Sequence, residues 1–287
     1  MAINFSSGAL IPQLGNLNQL MLLAGMMMAI SGMEMSAVHV TDVDNPGKNY
    51  PLSILIASII IIFITVAGSL AISIVIPVKD LSLSAGVCQA FDELFKAHNL
   101  PWMTPIISFL LAYGALTMVV TWMAGPSKGV REVAKEGYLP KFWQKENKHG
   151  MPVGMLIVQA AFSSILSIVV LVMPTVSGAF WIMSALAAQL YLVMYLFMFA
   201  AAIKLRYSQP DVKRPYKIPF GNAGMWVVSG VAFVSCIFIM IFGFIPTQAV
   251  RDKGPGAIAG YVAFLLVGVI VFVAAPIIFY NRAKKKK

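Results

Sequence analysis

Seven stretches of this chain stay apolar for about the length needed to cross a bilayer, and that pattern restricts its fold more than any other feature. They lie near Leu17–Val40, Leu52–Ile76, Met103–Met123, Met155–Met173, Phe180–Ile203, Met225–Ile245 and Ala257–Tyr280. A helix rises about 1.5 Å per residue and the hydrocarbon layer is about 30 Å thick, so roughly 20 apolar residues make one crossing. Strands of a membrane barrel would instead be about ten residues of strict alternation. These runs are longer and apolar on every face. Composition agrees. Of 287 residues, 59% are hydrophobic and 11% charged, with a mean hydropathy of +0.84, whereas a soluble domain carries about 25% charged residues. The expectation is an all-α membrane protein with seven transmembrane helices in a single transmembrane domain, 1–287. A soluble enzyme and a disordered chain are excluded.

The net charge of +10 would suggest nucleic acid in a soluble protein. Here it reports topology. Seven crossings place the two ends on opposite sides, and one side then collects all of the 21 basic residues except Lys79, Lys96, Arg251 and Lys253. Basic loops stay in the cytoplasm, so the C-terminus is expected inside and the N-terminus outside, with no nucleic-acid partner. The lysine run Lys284–Lys287 reads as a stop-transfer anchor, with a weak attraction to anionic lipid as the alternative. Met1–Gly15 has no Lys or Arg and does not read as a signal peptide. Cys88 and Cys236 are too few and too far apart for a disulfide framework or a cysteine zinc site.

The loops carry their own signals. Asp44-Asn45-Pro46-Gly47 reads as a tight turn. Ala90–Ala97 reads as a short amphipathic helix in the outer loop Asp80–Asn99. Ser127–Glu136 reads as a separate helix of the largest inner loop, with Ser127 as N-cap and Gly137 as its stop. Pro210–Pro219 reads as extended.

The first span holds the chemistry. It is apolar from Leu20 to Ile30, then reads Ser31-Gly32-Met33-Glu34, then resumes over Met35–Val40. Glu34 is the one carboxylate inside any of the seven runs. A charge at mid-membrane costs at least about 2.5–3.5 kcal/mol, so it must face protein or water. Gly32 beside it weakens the helix by roughly 1 kcal/mol relative to Ala. A helix broken there frees backbone groups, which lipid tolerates only where they line a cavity, and secondary transporters build substrate sites in this way. The competing expectation is an unbroken helix with Gly32 at a packing contact and Glu34 in a buried hydrogen bond. Trp122 fits an aromatic belt at the end of the third span. Tyr191 and Tyr195 lie one turn apart at mid-membrane and suit either a cavity or interhelical hydrogen bonds. The methionines of the first span, Met28 and Met33 among them, read as packing filler. His39, Asp42 and Asp44 resemble a metal cluster only superficially, so no metal and no cofactor is expected. No HExxH, phosphate-loop or GxSxG pattern stands in a suitable context, and the chain does not read as an enzyme.

Three motifs add a resemblance. Ser31-Gly32-Met33-Glu34-Met35-Ser36-Ala37, followed by Asp44-Asn45-Pro46-Gly47-Lys48-Asn49-Tyr50-Pro51, resembles the broken sixth helix and following turn of amino acid–polyamine–organocation (APC) superfamily transporters. Gly125-Pro126-Ser127-Lys128-Gly129, running to Ala134-Lys135-Glu136-Gly137-Tyr138-Leu139-Pro140, is similar to the loop after their eighth helix. Arg214-Pro215-Tyr216-Lys217-Ile218-Pro219-Phe220-Gly221 is similar to the segment before their eleventh. Within that superfamily the chain is most similar to the glutamate/γ-aminobutyrate antiporter group. The resemblance covers nearly the whole chain but only helices six to twelve of twelve. It implies the second inverted repeat plus two appended helices of a LeuT-like fold. It further implies that Ser31, Gly32 and Met33 offer backbone groups to an amino acid substrate, with Met28 as a wall of the site. Trp122 would close that site, Tyr191 and Tyr195 would face it, and Glu34 would act as the gating or proton-linked carboxylate. Met118 stands where relatives handling acidic substrates carry a polar residue, which leaves the substrate open. The implied setting is a bacterial inner (plasma) membrane. The implied activity is antiport by alternating access, here in an N-terminally truncated fragment. The alternative is a transport-inactive half-transporter or membrane interaction partner that needs a missing N-terminal half or a homo-oligomer. A channel has little support, because Glu34 could form a ring only in an oligomer.

Overall fold

Ser31 and Gly32 belong to no helix in the computed structural model of the chain, which describes residues 17–77, 80–82, 85–172 and 176–285. The first expected span is therefore two pieces. Helix α1 (Leu17–Ile30) ends at this point, and a ten-residue 3-10 helix (Met33–Asp42) follows. The unbroken-helix alternative fails here. Gly32 takes φ 110°, ψ −6°, a left-handed conformation that only a residue without Cβ adopts at little cost. The tighter 3-10 winding after it is the form short helical pieces take at hinges.

The Asn45-Pro46 turn behaves as expected. Asn45 adopts φ 47° and Pro46 opens α2 (Pro46–Val75), where its missing N–H is no loss. Asn49 Nδ2 donates to the Asp44 carbonyl at 2.6 Å and closes the turn. The outer-loop helix α3 (Gly86–Ala97) begins earlier than expected and packs between α2 and α4 (Met103–Lys135).

One expectation is overturned at α4. No new helix starts at Ser127, because α4 runs through Pro126 to Lys135 without interruption. Ser127 is not an N-cap. Its side chain is fully buried, and its hydroxyl contacts the Met123 carbonyl at 2.5 Å and Gln159 Oε1 at 3.0 Å. Proline removes one backbone donor from a helix interior, and packing against α5 (Val153–Val172) holds the helix together across that gap. The expected stop is correct: Gly137 sits at φ 86°, and its N–H reaches the Ala134 carbonyl at 3.0 Å.

Helix α6 (Val176–Ser208) is the central element. Helix α1 and helix α7 (Gly221–Gly243, with a π-helical turn at Trp226–Gly230) pack on it, as does α9 (Pro255–Lys284), which follows the single turn α8 (Gln248–Arg251). The buried core lies here, with Leu186 against Tyr261 and Leu265. Gln189, fully buried, donates to the Met240 carbonyl. Among the described residues, α2, α4, α6, α7 and α9 are long and apolar enough to cross a membrane, and α5 is apolar over the shorter stretch Val153–Ile168. The protein is an all-α integral membrane protein. The expectations for Met1–Gly15, Lys79, Met173 and the last two lysines fall outside the described residues.

The loops expected on the basic side meet at one end of the bundle. Gly47 lies against the Pro215 carbonyl, leaving no room for a Cβ. Tyr138 stacks on Tyr280 at 5.6 Å, and Trp143 meets Phe279 edge-on at 6.2 Å. Arg131 forms an ion pair with Glu146 inside the same region.

Candidate functional site

The break in the first span is enclosed by the residues singled out from sequence. The Gly32 N–H, freed where α1 stops, is shared between Glu34 Oε2 at 3.1 Å and Tyr195 Oη at 3.4 Å. Tyr195 Oη donates in turn to Glu34 Oε2 at 2.8 Å. The three groups form a closed triangle that ties the 3-10 segment to the middle of α6. Met35 N–H bonds back to the Gly32 carbonyl at 3.1 Å, and Ser31 N–H to Met27 at 2.9 Å. The carboxylate thus caps the break locally, as an acid does at a helix start. Its other oxygen, Glu34 Oε1, is buried and has no hydrogen-bond partner among the described residues. Leaving such an acceptor unsatisfied costs about 1–3 kcal/mol.

Aromatic rings form the walls. Trp122, from the middle of α4, lies directly over Gly32: a Cβ there would fall 2.9 Å from two ring carbons. Trp122 meets Tyr191 edge-on with centroids 6.0 Å apart. Tyr191 packs on Tyr195 at 5.9 Å, and Tyr195 stacks on Phe199 at 6.1 Å. One face of α6, at one-turn spacing, therefore lines the break. Trp122 thus contacts the break while its side chain stays partly exposed.

Met33 points elsewhere. Its sulfur accepts from Ser58 Oγ of α2 at 3.2 Å, and its carbonyl accepts from Ser36 Oγ at 2.7 Å. Ser36 Oγ also meets Tyr50 Oη at 2.9 Å. Met28 lies in the last turn of α1, and its side chain is outside the described set. Gly125 of α4 lets the 3-10 segment approach closely, since a Cβ there would meet the Met35 methyl at 2.7 Å, whereas one on Gly129 would make only ordinary contact with Val38 at 3.9 Å.

Several contributors escaped sequence reasoning. Phe199 extends the Tyr191–Tyr195 spacing by one more turn, a signal available in the sequence. Gly125 stands where the 3-10 segment comes within 2.7 Å of an added Cβ, and a glycine inside a membrane helix is the available signal of close helix approach. Ser58 and Tyr50 had no such signal, because only the fold brings α2 beside the break.

Comparison with known proteins identifies the family. The family profile described as amino acid permease matches residues 3–279. An uncharacterized transporter of Legionella pneumophila is 39% identical over 98% of this chain and 60% of its own length. A glutamate/gamma-aminobutyrate antiporter of Lactococcus lactis is 31% identical over 99% of this chain and 56% of its own. A probable agmatine/putrescine antiporter of the same species is 25% identical over 94% and 58%. The chain thus spans a little over half the length of these curated relatives. Its matched residues take in the broken first span, the α4 loop and the turn into α7, and the chain belongs to the amino acid permease family.

Proposed function

We propose that this chain is the substrate-binding part of an amino acid antiporter of the glutamate/γ-aminobutyrate kind, working by alternating access around the break at Ser31-Gly32. The observation that carries this reading is the Gly32–Glu34–Tyr195 triangle with one buried carboxylate oxygen left over. A proton on that oxygen removes the buried charge, and a ligand donor such as an ammonium group satisfies it as an acceptor. Binding of substrate and of a proton would then compete for one atom, which is the linkage an exchanger needs. Ser31 and Gly32 offer backbone polarity, Trp122 covers the break, and Tyr191 and Tyr195 form the facing wall. Met28 and Met33 complete the proposed set from α1 and the hinge. The same reading takes seven crossings of a bacterial plasma membrane, and on that count the basic-loop asymmetry favours the C-terminus inside and the N-terminus outside.

The test is exchange of labelled glutamate in liposomes, with Glu34→Gln beside the wild type. Removing the charge removes a charge-assisted hydrogen bond worth about 1.5–3 kcal/mol, so exchange should fall by about tenfold or more, or lose its pH dependence. Unchanged transport by Glu34→Gln across pH 5 to 8 refutes the role.

A second reading is a half-transporter that is inactive until the remaining permease length, or a second copy, joins it. It is favoured by α2 and α4, whose most apolar stretches are left unburied by the rest of the chain. Exchange by the isolated chain above empty vesicles defeats this second reading. Five further apolar helices encoded in frame upstream of Met1 would instead make the chain a piece of a complete transporter.

A further inference from the structure

At the C-terminal end of α6, three cations converge on one cavity, and none has an acidic partner among the described residues. The cavity, about 290 Å³, is lined by Arg206, Tyr207, Pro210, Arg214, Lys217 and Asn222. Arg206 Nε donates to Asn222 Oδ1 at 3.2 Å. Arg214 closes the end of α6, donating to the carbonyls of Leu205 at 2.9 Å, Gln209 at 2.8 Å and Val212 at 3.3 Å. No carboxylate lies within ion-pair distance of Arg206, Arg214 or Lys217 among the described residues, although Asp211 is close in sequence. Lys204 and Lys213 belong to the same basic stretch but do not line the cavity. A purely topological role would not require its neighbours to converge.

The rim of the cavity is aromatic. Trp226 Nε1 donates to Tyr207 Oη at 2.8 Å, and both rings remain about half exposed. Tyr and Trp with an apolar body and a polar tip favour the headgroup level of a bilayer. On the membrane side a second, apolar cavity of about 590 Å³ runs between α6, α7 and α9, past Leu196, Ala200, Phe233 and Val273. Leu196, Ala200 and Tyr207 recur at helical spacing, so one face of α6 leads from the apolar groove to the basic cavity. The rise from Ala200 to Tyr207 is about 10 Å.

We propose that this is a binding site for one anionic phospholipid, with the headgroup phosphate among Arg206, Arg214 and Lys217 and an acyl chain in the groove between α6, α7 and α9. Basic pockets between membrane helices hold anionic headgroups in this way. A free phosphate ion shares the headgroup chemistry, but it has no use for the apolar groove. The site is separate from the break in the first span, and its occupancy does not depend on which substrate is carried.

Native mass spectrometry of the purified full chain with equal phosphatidylglycerol and phosphatidylcholine tests it, with a parallel arm in inorganic phosphate. Phosphatidylglycerol should be retained in preference, with retention falling about fivefold for each cation removed in Arg206→Gln and Lys217→Gln. Arg214 is left in place because it closes α6. Equal retention of the two lipids overturns the proposal, as does unchanged retention in the double variant. Displacement of the lipid by millimolar phosphate overturns it in favour of a simple ion site. Should circular dichroism show the double variant unfolded, quenching of Trp226 by acyl-brominated lipid, read against Trp226→Phe, decides instead. Stronger quenching by phosphatidylglycerol supports the site, and equal quenching by phosphatidylcholine overturns it.

Discussion

Gly32 combines a left-handed backbone with the Trp122 ring at van der Waals contact. Gly32→Ala meets both obstacles at once. The conformation alone costs about 1–2 kcal/mol for a residue with a Cβ, and the ring must also move. The melting temperature of the purified protein should drop, together with exchange. Gly68→Ala is the control, because Gly68 is helical and nothing lies within 4 Å of its missing Cβ. That variant should melt at or above the wild-type temperature, since Ala is the better helix former. A second residue prediction concerns Tyr195→Phe. It keeps the ring contacts to Tyr191 and Phe199 but deletes the donor to Glu34 Oε2. Glu34 would keep only the Gly32 N–H among its present partners. Exchange should fall by about tenfold or more with little change in helicity by circular dichroism. Wild-type exchange in Tyr195→Phe would remove the triangle from the mechanism.

Among the elements, α4 and α3 each depend on a specific polar contact. Ser127 joins α4 to α5 through Gln159 at a fully buried position. Ser127→Ala should lower stability by about 1 kcal/mol, read as a shift in thermal unfolding, because Gln159 loses that partner. At α3, Asp92 Oδ1 accepts from Thr104 of α4 at 2.9 Å, and Lys96 lies 2.6 Å from Asp92. The Lys96 hydrogen bond, then that of Thr104, hold the Asp92 carboxyl below its usual range, while Asp92 pushes the Lys96 ammonium up. A lowered carboxylate value stabilises the fold above the ordinary value of 3.8 and loses that effect as pH falls through the folded value. The Lys96 contribution is present below its ordinary value and is lost as pH rises through the raised one. Protection of the amides over Gly86–Ala97, taken against the intrinsic exchange rate at each pH, should therefore fall at acid pH, and Asp92→Asn should lose that protection already at neutral pH. Identical protection at acid and neutral pH would contradict this. The existence of α3 was legible from its amphipathic pattern. Its extra first turn was not, and neither was the continuity of α4 through Pro126, which local signals argued against. Tertiary packing prevailed over the local cap signal at Ser127.

For the whole molecule, the orientation of the bundle is set by its two ends. Lys213 precedes α7 and Lys253 follows it, so one membrane-length helix separates them. In a Cys88→Ser background, Lys213→Cys should react with an impermeant maleimide only from the cytoplasmic side, and Lys253→Cys only from outside. Labelling from the same side would invert or dismantle the seven-span topology. The contacts of Gly47 with Pro215 and of Tyr138 with Tyr280 already bring the expected inner loops to one end of the bundle.

Membrane character, helical class and the location of the hinge could all be read from the chain, because lipid punishes an unpaired charge or backbone group so severely that the permitted patterns are few. The sequence by itself determined that any break in the helix carrying Glu34 would fall at Gly32 and that Tyr191 and Tyr195 would share a face; that the helix does break is decided by the fold. Tertiary structure alone decided that Tyr195 bonds the carboxylate, that Trp122 rather than lipid covers the glycine, and that Met33 reaches toward Ser58. Those pairings join residues far apart in the chain, and helical periodicity orders neighbours only within a turn or two, so which faces meet is settled when the helices pack.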